Sequence, residues 1–436
     1  MDDLAQGGTW FRATEQRPPK ADPVGLLKGI ARHISGTRAT WLRGLVEDPP
    51  QPGRPRAGSS LISSNFMKTH RSISVAASLL CSALSAAHAG TPPPADIAAF
   101  FKPPAALSAD LGSYKSPLLF NNGRKVQTPD DWQKRRAEIL TDWHGIMGAW
   151  PAVIEKPKLE VLESKQRETF TQKRIRLEIA PGQTGDGRLL IPEGKGPFPA
   201  VFVPYYEPET SVGTGDHPLR DFAYQLAKRG FVTLAIGSPG GDARKPVLSA
   251  GAACQPLSYL GYVSANAWNA LASMPEVDST RIGIVGHSYG GKWSMFGACL
   301  WDKYACAVWS DPGIAFDETR GSINYQEPWY LGLDPAMSRK PGLVRADSPR
   351  TGAYKTLVER GHDLVELQAL MAPRPFLVSG GAEDPPKRWA VLNHLIALNK
   401  MLGFEGRVAM TNRADHPPTV ESNEAIYRFF EWWLKH

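Results

Sequence analysis

The sequence predicts an α/β fold: a mostly parallel central sheet flanked by helices, with a lid-like insertion. Three observations predict it. From residue 200 onward, short apolar runs alternate with longer stretches of helical spacing, the pattern of strands buried on both faces and joined by crossover helices. At residues 286–290, Gly-His-Ser-Tyr-Gly joins an apolar run to a helix-compatible one. Of 436 residues, 42% are hydrophobic and 21% charged, which excludes a wholly disordered chain; Gly and Pro follow no short period, which excludes a collagen-like or coiled-coil fibre.

The elements follow in chain order. Residues 67–89 carry Lys68 and Arg71, then an apolar run over 73–84, then Ala87-His88-Ala89 before Gly90. These are the three parts of a secretory leader, and the run is too short to persist as a membrane-spanning helix. Cys81 follows Leu79-Leu80 rather than a small residue, which argues against a lipid anchor. Residues 1–66 are rich in Arg, Pro and Gly and lack apolar periodicity; they read as disordered, or as an upstream stretch with Met67 as the working start. The working protein is therefore expected to be residues 90–436, exported to the periplasm or beyond.

The formal charge of +7 divides unevenly, with five charges in residues 1–89 and two in the remaining 347. A basic nucleic-acid-binding surface is not predicted. Export implies an oxidising compartment, in which Cys254, Cys299 and Cys306 form at most one disulfide, its pairing open. No Cys/His spacing suggests a structural zinc.

Residues 91–130 read as an extended linker. Residues 130–147 place Trp132, Ile139, Leu140 and Trp143 on one helical face, stopped by Trp150-Pro151. From 159 the period becomes two: Ile175, Leu177 and Ile179 alternate with Arg174, Arg176 and Glu178 in a half-exposed strand, and 185–192 is its partner. Strands are predicted at 200–203, 231–236, 281–285, 305–309, 375–378 and 407–410, and helices at 219–229, 260–274, 290–300, 389–402 and 426–434. Residues 312–360, rich in Pro, Gly, Tyr and Trp, interrupt the alternation and read as the insertion over one end of the sheet.

Gly286-His287-Ser288-Tyr289-Gly290 fits G-x-S-x-G in its proper context, a strand before and a helix after. Ser288 needs a base to take its proton. Downstream stand His362, His394, His416 and His436; His416, in the loop after the last strand, is the expected base. Asp384, in Ser379-Gly-Gly-Ala-Glu-Asp-Pro-Pro after the strand at 375–378, is the first choice of acid. Asp311 after the preceding strand is its rival, with Glu383 a further alternative; Asp415, beside His416, reads as a cap of its loop. The Tyr289 N–H and an N–H of Tyr205 or Tyr206 are the expected oxyanion donors, since Pro204 has none. Trp301, Trp309 and Trp329 either stack on sugar rings or serve as core, and Asp242 and Arg244 either line the mouth of the site or form a solvated loop.

The elbow and the order of serine, acid and histidine resemble the α/β-hydrolase superfamily over about residues 160–436. Gly286-His-Ser-Tyr-Gly-Gly-Lys292, Ala372-Pro-Arg-Pro-Phe-Leu-Val and Gly361-His-Asp-Leu are similar to glucuronoyl-esterase-like and acetyl-xylan-esterase-like carbohydrate esterases. The Trp132, Arg135-Arg136, Gly148 and Pro151 segment resembles the N-terminal helix of such chains. Glucuronoyl esterases carry Arg after the serine, where its side chain assists the oxyanion, and Lys three residues further on; Tyr289 departs from the first, and Lys292 matches the second and is expected to bind substrate. A second resemblance is to prolyl-oligopeptidase-like serine peptidases, but about 100 residues between Gly90 and the sheet are too few for their propeller. The resemblance implies a secreted ester hydrolase working on a small-molecule or carbohydrate ester through an acyl-enzyme, without metal or organic cofactor.

Overall fold

The computed structural model describes residues 93–436; the leader expected at 67–89 and residues 1–66 lie outside the described residues. One nine-stranded sheet runs in the order β1-β2-β3-β5-β4-β6-β7-β8-β9. Strands β1 (Leu159–Arg167), β2 (Phe170–Ala180) and β3 (Gln183–Pro192) form an antiparallel meander, and β3 pairs antiparallel with β5 (Val232–Ile236). The rest is parallel: β4 (Phe198–Pro204), β6 (Val277–His287), β7 (Cys306–Ser310), β8 (Phe376–Gly380) and β9 (Val408–Asn412). The α-helices longer than a single turn are α1 (Pro129–Met147), α2 (Phe222–Lys228), α3 (Pro256–Ala272), α4 (Tyr289–Leu300), α5 (Gly352–Glu359), α6 (Leu364–Ala369), α7 (Trp389–Met401) and α8 (Val420–Lys435).

Side chains alternate across a strand, so a sheet covered on both faces reads as unbroken apolar runs. Val201, Val203, Ala235, Val285, Val308, Leu377 and Ala409 pack with Phe222 and Leu226 of α2 and Ile426, Phe429 and Phe430 of α8. Their alternates Ala200, Phe202, Leu234, Ile284, Ala307 and Val378 pack with α1, α3 and α4. Each fully buried Leu, Val or Phe contributes about 1.5–3 kcal/mol, so both layers anchor the loops at the carboxyl ends of the parallel strands.

Several boundaries differ from expectation for local reasons. Leu219 sits at φ +61°, outside the right-handed helical region, so α2 starts three residues later. Helix α3 starts earlier, at Pro256, whose fixed φ suits a first helical position. In β2 the alternation changes face: Phe170 packs with the α2–α8 layer and Ile175, Leu177 and Ile179 with the other.

The expected linker is pinned instead. Asn393 donates to the Leu107 and Asp110 carbonyls at 2.7 Å each, and Phe101 stacks on Phe429 with centroids 6.4 Å apart. Helix α1 opens on Thr128, which accepts the Asp131 N–H, and closes on the main core with Trp132, Ile139 and Trp143 buried. On the same helix, buried Arg135 pairs with buried Glu366 of α6 at 2.6 Å and with Glu138 at 2.6 Å. Removing one partner of such a buried pair costs about 3–5 kcal/mol.

Residues 312–351 contain no helix or strand, yet Ile314, Ile323, Tyr325, Tyr330 and Leu331 are buried in the main core. Residues 312–331 of this segment therefore carry its packing into the core, and most of 333–350 is exposed or half-buried. Cys254, Cys299 and Cys306 are buried free thiols, so no disulfide joins them. No helix among the described residues is long and apolar enough to cross a membrane.

Candidate active site

The parallel strands aim their carboxyl ends at one rim, and the chemistry-bearing loops meet there. Strand β6 ends at His287 and α4 begins at Tyr289, leaving Ser288 alone on the turn at φ +55°. Such a conformation is strained for a residue with a side chain and persists where the surroundings over-determine it. The turn is tight on both sides. A Cβ on Gly286 would lie 2.3 Å from the Gly290 carbonyl carbon, and one on Gly290 would lie 2.3 Å from the Pro204 carbonyl oxygen. The Ser288 N–H donates to the Ser310 carbonyl at 2.8 Å, tying the elbow to β7.

His416 stands in the loop between β9 and α8. Its Nε2 is 2.9 Å from Ser288 Oγ, and its Nδ1 is 2.7 Å from Asp311 Oδ2. Arg413 holds that loop, donating to the carbonyls of His416 (2.7 Å), Pro417 (2.8 Å) and Ser379 (2.9 Å). These contacts bring together Ser288 and His416, the expected nucleophile and base, with Asp311, the rival to the first-choice Asp384.

Asp311, at φ +52° immediately after β7, faces the imidazole, whereas Asp384 does not reach it. Asp384 points at the next turn of chain instead, accepting the N–H groups of Gly313 (2.8 Å) and Ile314 (2.6 Å). Asp311 in turn accepts the N–H groups of Gly381 (2.7 Å), Glu383 (3.1 Å) and Asp384 (2.8 Å). Each aspartate thus clasps the loop that carries the other. Burial alone would raise the Asp311 carboxyl, but its hydrogen bonds from His416 and from the Asp384 and Glu383 amides prevail and hold it below the usual carboxylate range. For Asp384, burial and the neighbouring Asp311 charge prevail and push it up to about 6.

The other candidates are engaged elsewhere. Glu383 pairs with Arg320 at 3.3 Å, and Asp415 is exposed. His362 is paired with Glu366 at 2.5 Å, His394 meets the Leu111 carbonyl at 3.0 Å, and His436 lies against Trp432. His287, beside the serine, is 4.6 Å ring to ring from His416. Burial first, then the charges of His416 and Arg413, hold its pKa well below the ordinary histidine value, so a second cation does not form against the base.

Of the two tyrosines proposed as the second oxyanion donor, Tyr205 is committed, its N–H donating to Ile236 at 3.2 Å. That leaves Tyr206 with Tyr289. The Tyr206 ring stacks on Tyr289 with centroids 4.7 Å apart, and its phenol lies against the Ser288 hydroxyl. Burial raises the Tyr206 phenol, so it is a donor at neutral pH.

Lys292 corrects another expectation. It is 3% exposed, its Nζ donates to the Pro312 carbonyl at 2.6 Å, and it lies over the Tyr325 and Tyr330 rings at 4.9 and 5.7 Å. Buried in this way it braces the loop that follows Asp311 and offers substrate no free ammonium. Burial pulls its pKa down to about 8 against the opposing pull of Asp384, Glu383 and Asp311. Of the tryptophans, Trp309 is core, stacked on Phe376 at 4.7 Å, and Trp301 packs with Trp268 at 6.4 Å. Trp329 is half-buried and sits 6.3 Å from Tyr330, which is itself 6.3 Å from Tyr289, within the aromatic cluster beside the elbow.

Comparison with solved structures places this geometry on a known fold. The chain is similar to a glucuronoyl esterase from Solibacter usitatus (TM-score 0.58, 18% identical, 76% of this chain and 99% of that one). A promiscuous esterase of carbohydrate esterase family 15 from a marine bacterial metagenome matches at TM-score 0.55 and 16% identity, over 74% of this chain and 98% of that one. A glucuronoyl esterase of the same family from Teredinibacter turnerae matches at 0.54 and 16%, over 82% and 100%. The chain therefore has the α/β-hydrolase fold. No family model matches the sequence, and neither does any curated protein.

Proposed function

We propose that this chain is an exported serine esterase acting on a carbohydrate-type ester. The observation that carries the reading is the continuous relay from Ser288 Oγ through both nitrogens of His416 to buried Asp311, set on a strained elbow. His416 Nε2 takes the Ser288 proton as Oγ bonds to the ester carbonyl carbon. Asp311 orients the imidazole and stabilises its charged form. The Tyr289 and Tyr206 amides, the first at the α4 N-terminus, receive the oxyanion. As the tetrahedral adduct collapses, the alkoxide leaves with the proton from Nε2. Water then attacks the acyl-enzyme by the same route, releasing the acid and restoring Ser288.

The carbohydrate part of the reading rests on the resemblance of the 286–292 segment and on neighbours that are themselves esterases of sugar acids. Hydrolysis of p-nitrophenyl acetate and butyrate, set beside a prolyl anilide and repeated with Ser288→Ala, tests the serine-esterase part, and turnover of acetylated xylan and glucuronate esters tests the carbohydrate part. Ester turnover that vanishes in the variant is expected. Dominant anilide cleavage would move the protein to the peptidases, and equal turnover by variant and wild type would sink the serine mechanism. Export is tested separately: the mature protein is expected to begin at Gly90.

A further inference from the structure

Two arginines stand at the mouth of this site without an ion-pair partner among the described residues, Arg220 and Arg244. Arg220 Nε is buried and makes no hydrogen bond. Its charge reaches Tyr205, Tyr206, His287 and Arg413, groups that surround the serine. Arg244 is exposed, lies 5.9 Å over the Trp329 ring and reaches both Tyr206 and Tyr330. The Tyr206 phenol, which touches Ser288, feels both guanidiniums.

The acidic groups at the same mouth are already engaged. Glu207 accepts the Thr210 hydroxyl, Asp242 accepts the backbone N–H of Arg244 at 2.8 Å, and Glu383 is paired with Arg320. The third cation, Arg413, spends its donors on carbonyls of the His416 loop. A planar guanidinium with open donors matches a carboxylate fork, and leaving a buried Nε unmade is costly.

Resting on the esterase reading above, we propose that Arg220 and Arg244 form a carboxylate-binding subsite beside the scissile bond. The substrate is then an ester that also bears a free carboxylate, the chemistry of a partly esterified acidic sugar chain. Half-buried Trp329, under Arg244, and exposed Tyr206 supply apolar faces for the sugar ring.

The test compares two acetate esters of the same shape, 4-acetoxybenzoate and 4-acetoxybenzamide, in wild type, Arg220→Gln, Arg244→Gln and Ser288→Ala. Wild type is expected to prefer the anionic ester by ~10-fold or more in kcat/KM, mostly through KM, with the preference shrinking as salt rises. Each glutamine variant is expected to bring that ratio towards one, and Arg220→Lys to restore part of it. An equal rate on both esters in wild type, or a ratio unchanged in both arginine variants, overturns the subsite while leaving the esterase standing. Failure to cleave either ester removes the esterase reading and the subsite together. Melting curves of the variants show whether a lost ratio is a lost fold.

Discussion

The turns after β7 and β8 are built alike and do opposite work. Both bring an aspartate to the carboxyl edge of the sheet, bury it completely and give it backbone N–H partners. Asp311 has a base as an additional partner and is held ionised; Asp384 has the Asp311 charge as a neighbour and is pushed towards neutrality. The difference teaches that what the second oxygen of a buried carboxylate meets decides whether it is held ionised or pushed towards neutrality. Position after a strand does not decide it.

Substitutions can break that comparison at either end. Asp311→Asn leaves the shape but removes the charge opposite His416, and a loss of about 10³–10⁴ in kcat is expected from steady-state ester hydrolysis. Asp384→Asn sets an NH2 group against one of the Gly313 and Ile314 amides, so a stability loss of about 1–3 kcal/mol with a smaller fall in kcat is expected from denaturant titration and kinetics. A larger kcat loss at Asp384 than at Asp311 would return the acid to the β8 turn.

The pH dependence sharpens the contrast, because the two shifts have opposite signs. Asp384 is raised from 3.8 to about 6, so its native state binds the extra proton and stability falls as pH rises between those values. Asp311 is lowered, so its contribution is present above the unfolded pKa and is lost as pH falls through the folded one. Removing Asp384 is therefore expected to flatten the decline in stability from about pH 4 to pH 6. A steeper decline in Asp384→Asn would contradict the assignment. The smallest effect is expected at Tyr325, whose hydroxyl donates to the Gly313 carbonyl at 2.8 Å: Tyr325→Phe is expected to cost about 0.5–1.5 kcal/mol, measured by chemical denaturation.

The parallel half of the sheet was legible because both its faces are buried, so strands such as 281–285 stand out as apolar runs without any knowledge of their neighbours. Ser288 was legible for a local reason, the two glycines that its turn demands, and His416 by position after the last strand. The acid was not. Asp311-Pro-Gly and Asp384-Pro-Pro are near-equivalent strings, and only the distance to an imidazole more than a hundred residues from Asp311 separates them. Lys292 was expected to bind substrate only through the family resemblance, while the carbonyl and two rings that enclose it come from residues 312–330. Arg413 left no signal, since donating to carbonyls needs no matching side chain.

The three enclosed thiols carry a consequence for how this molecule comes into being. Burial lifts Cys254 to about 11 and Cys299 to about 12, and raises Cys306 as well, so the folded chain presents almost no thiolate to an oxidant. The nascent chain has no such shelter. If the chain folds in an oxidising space, the three thiols stay reduced only where collapse of the sheet around β7 and α4 comes before disulfide formation.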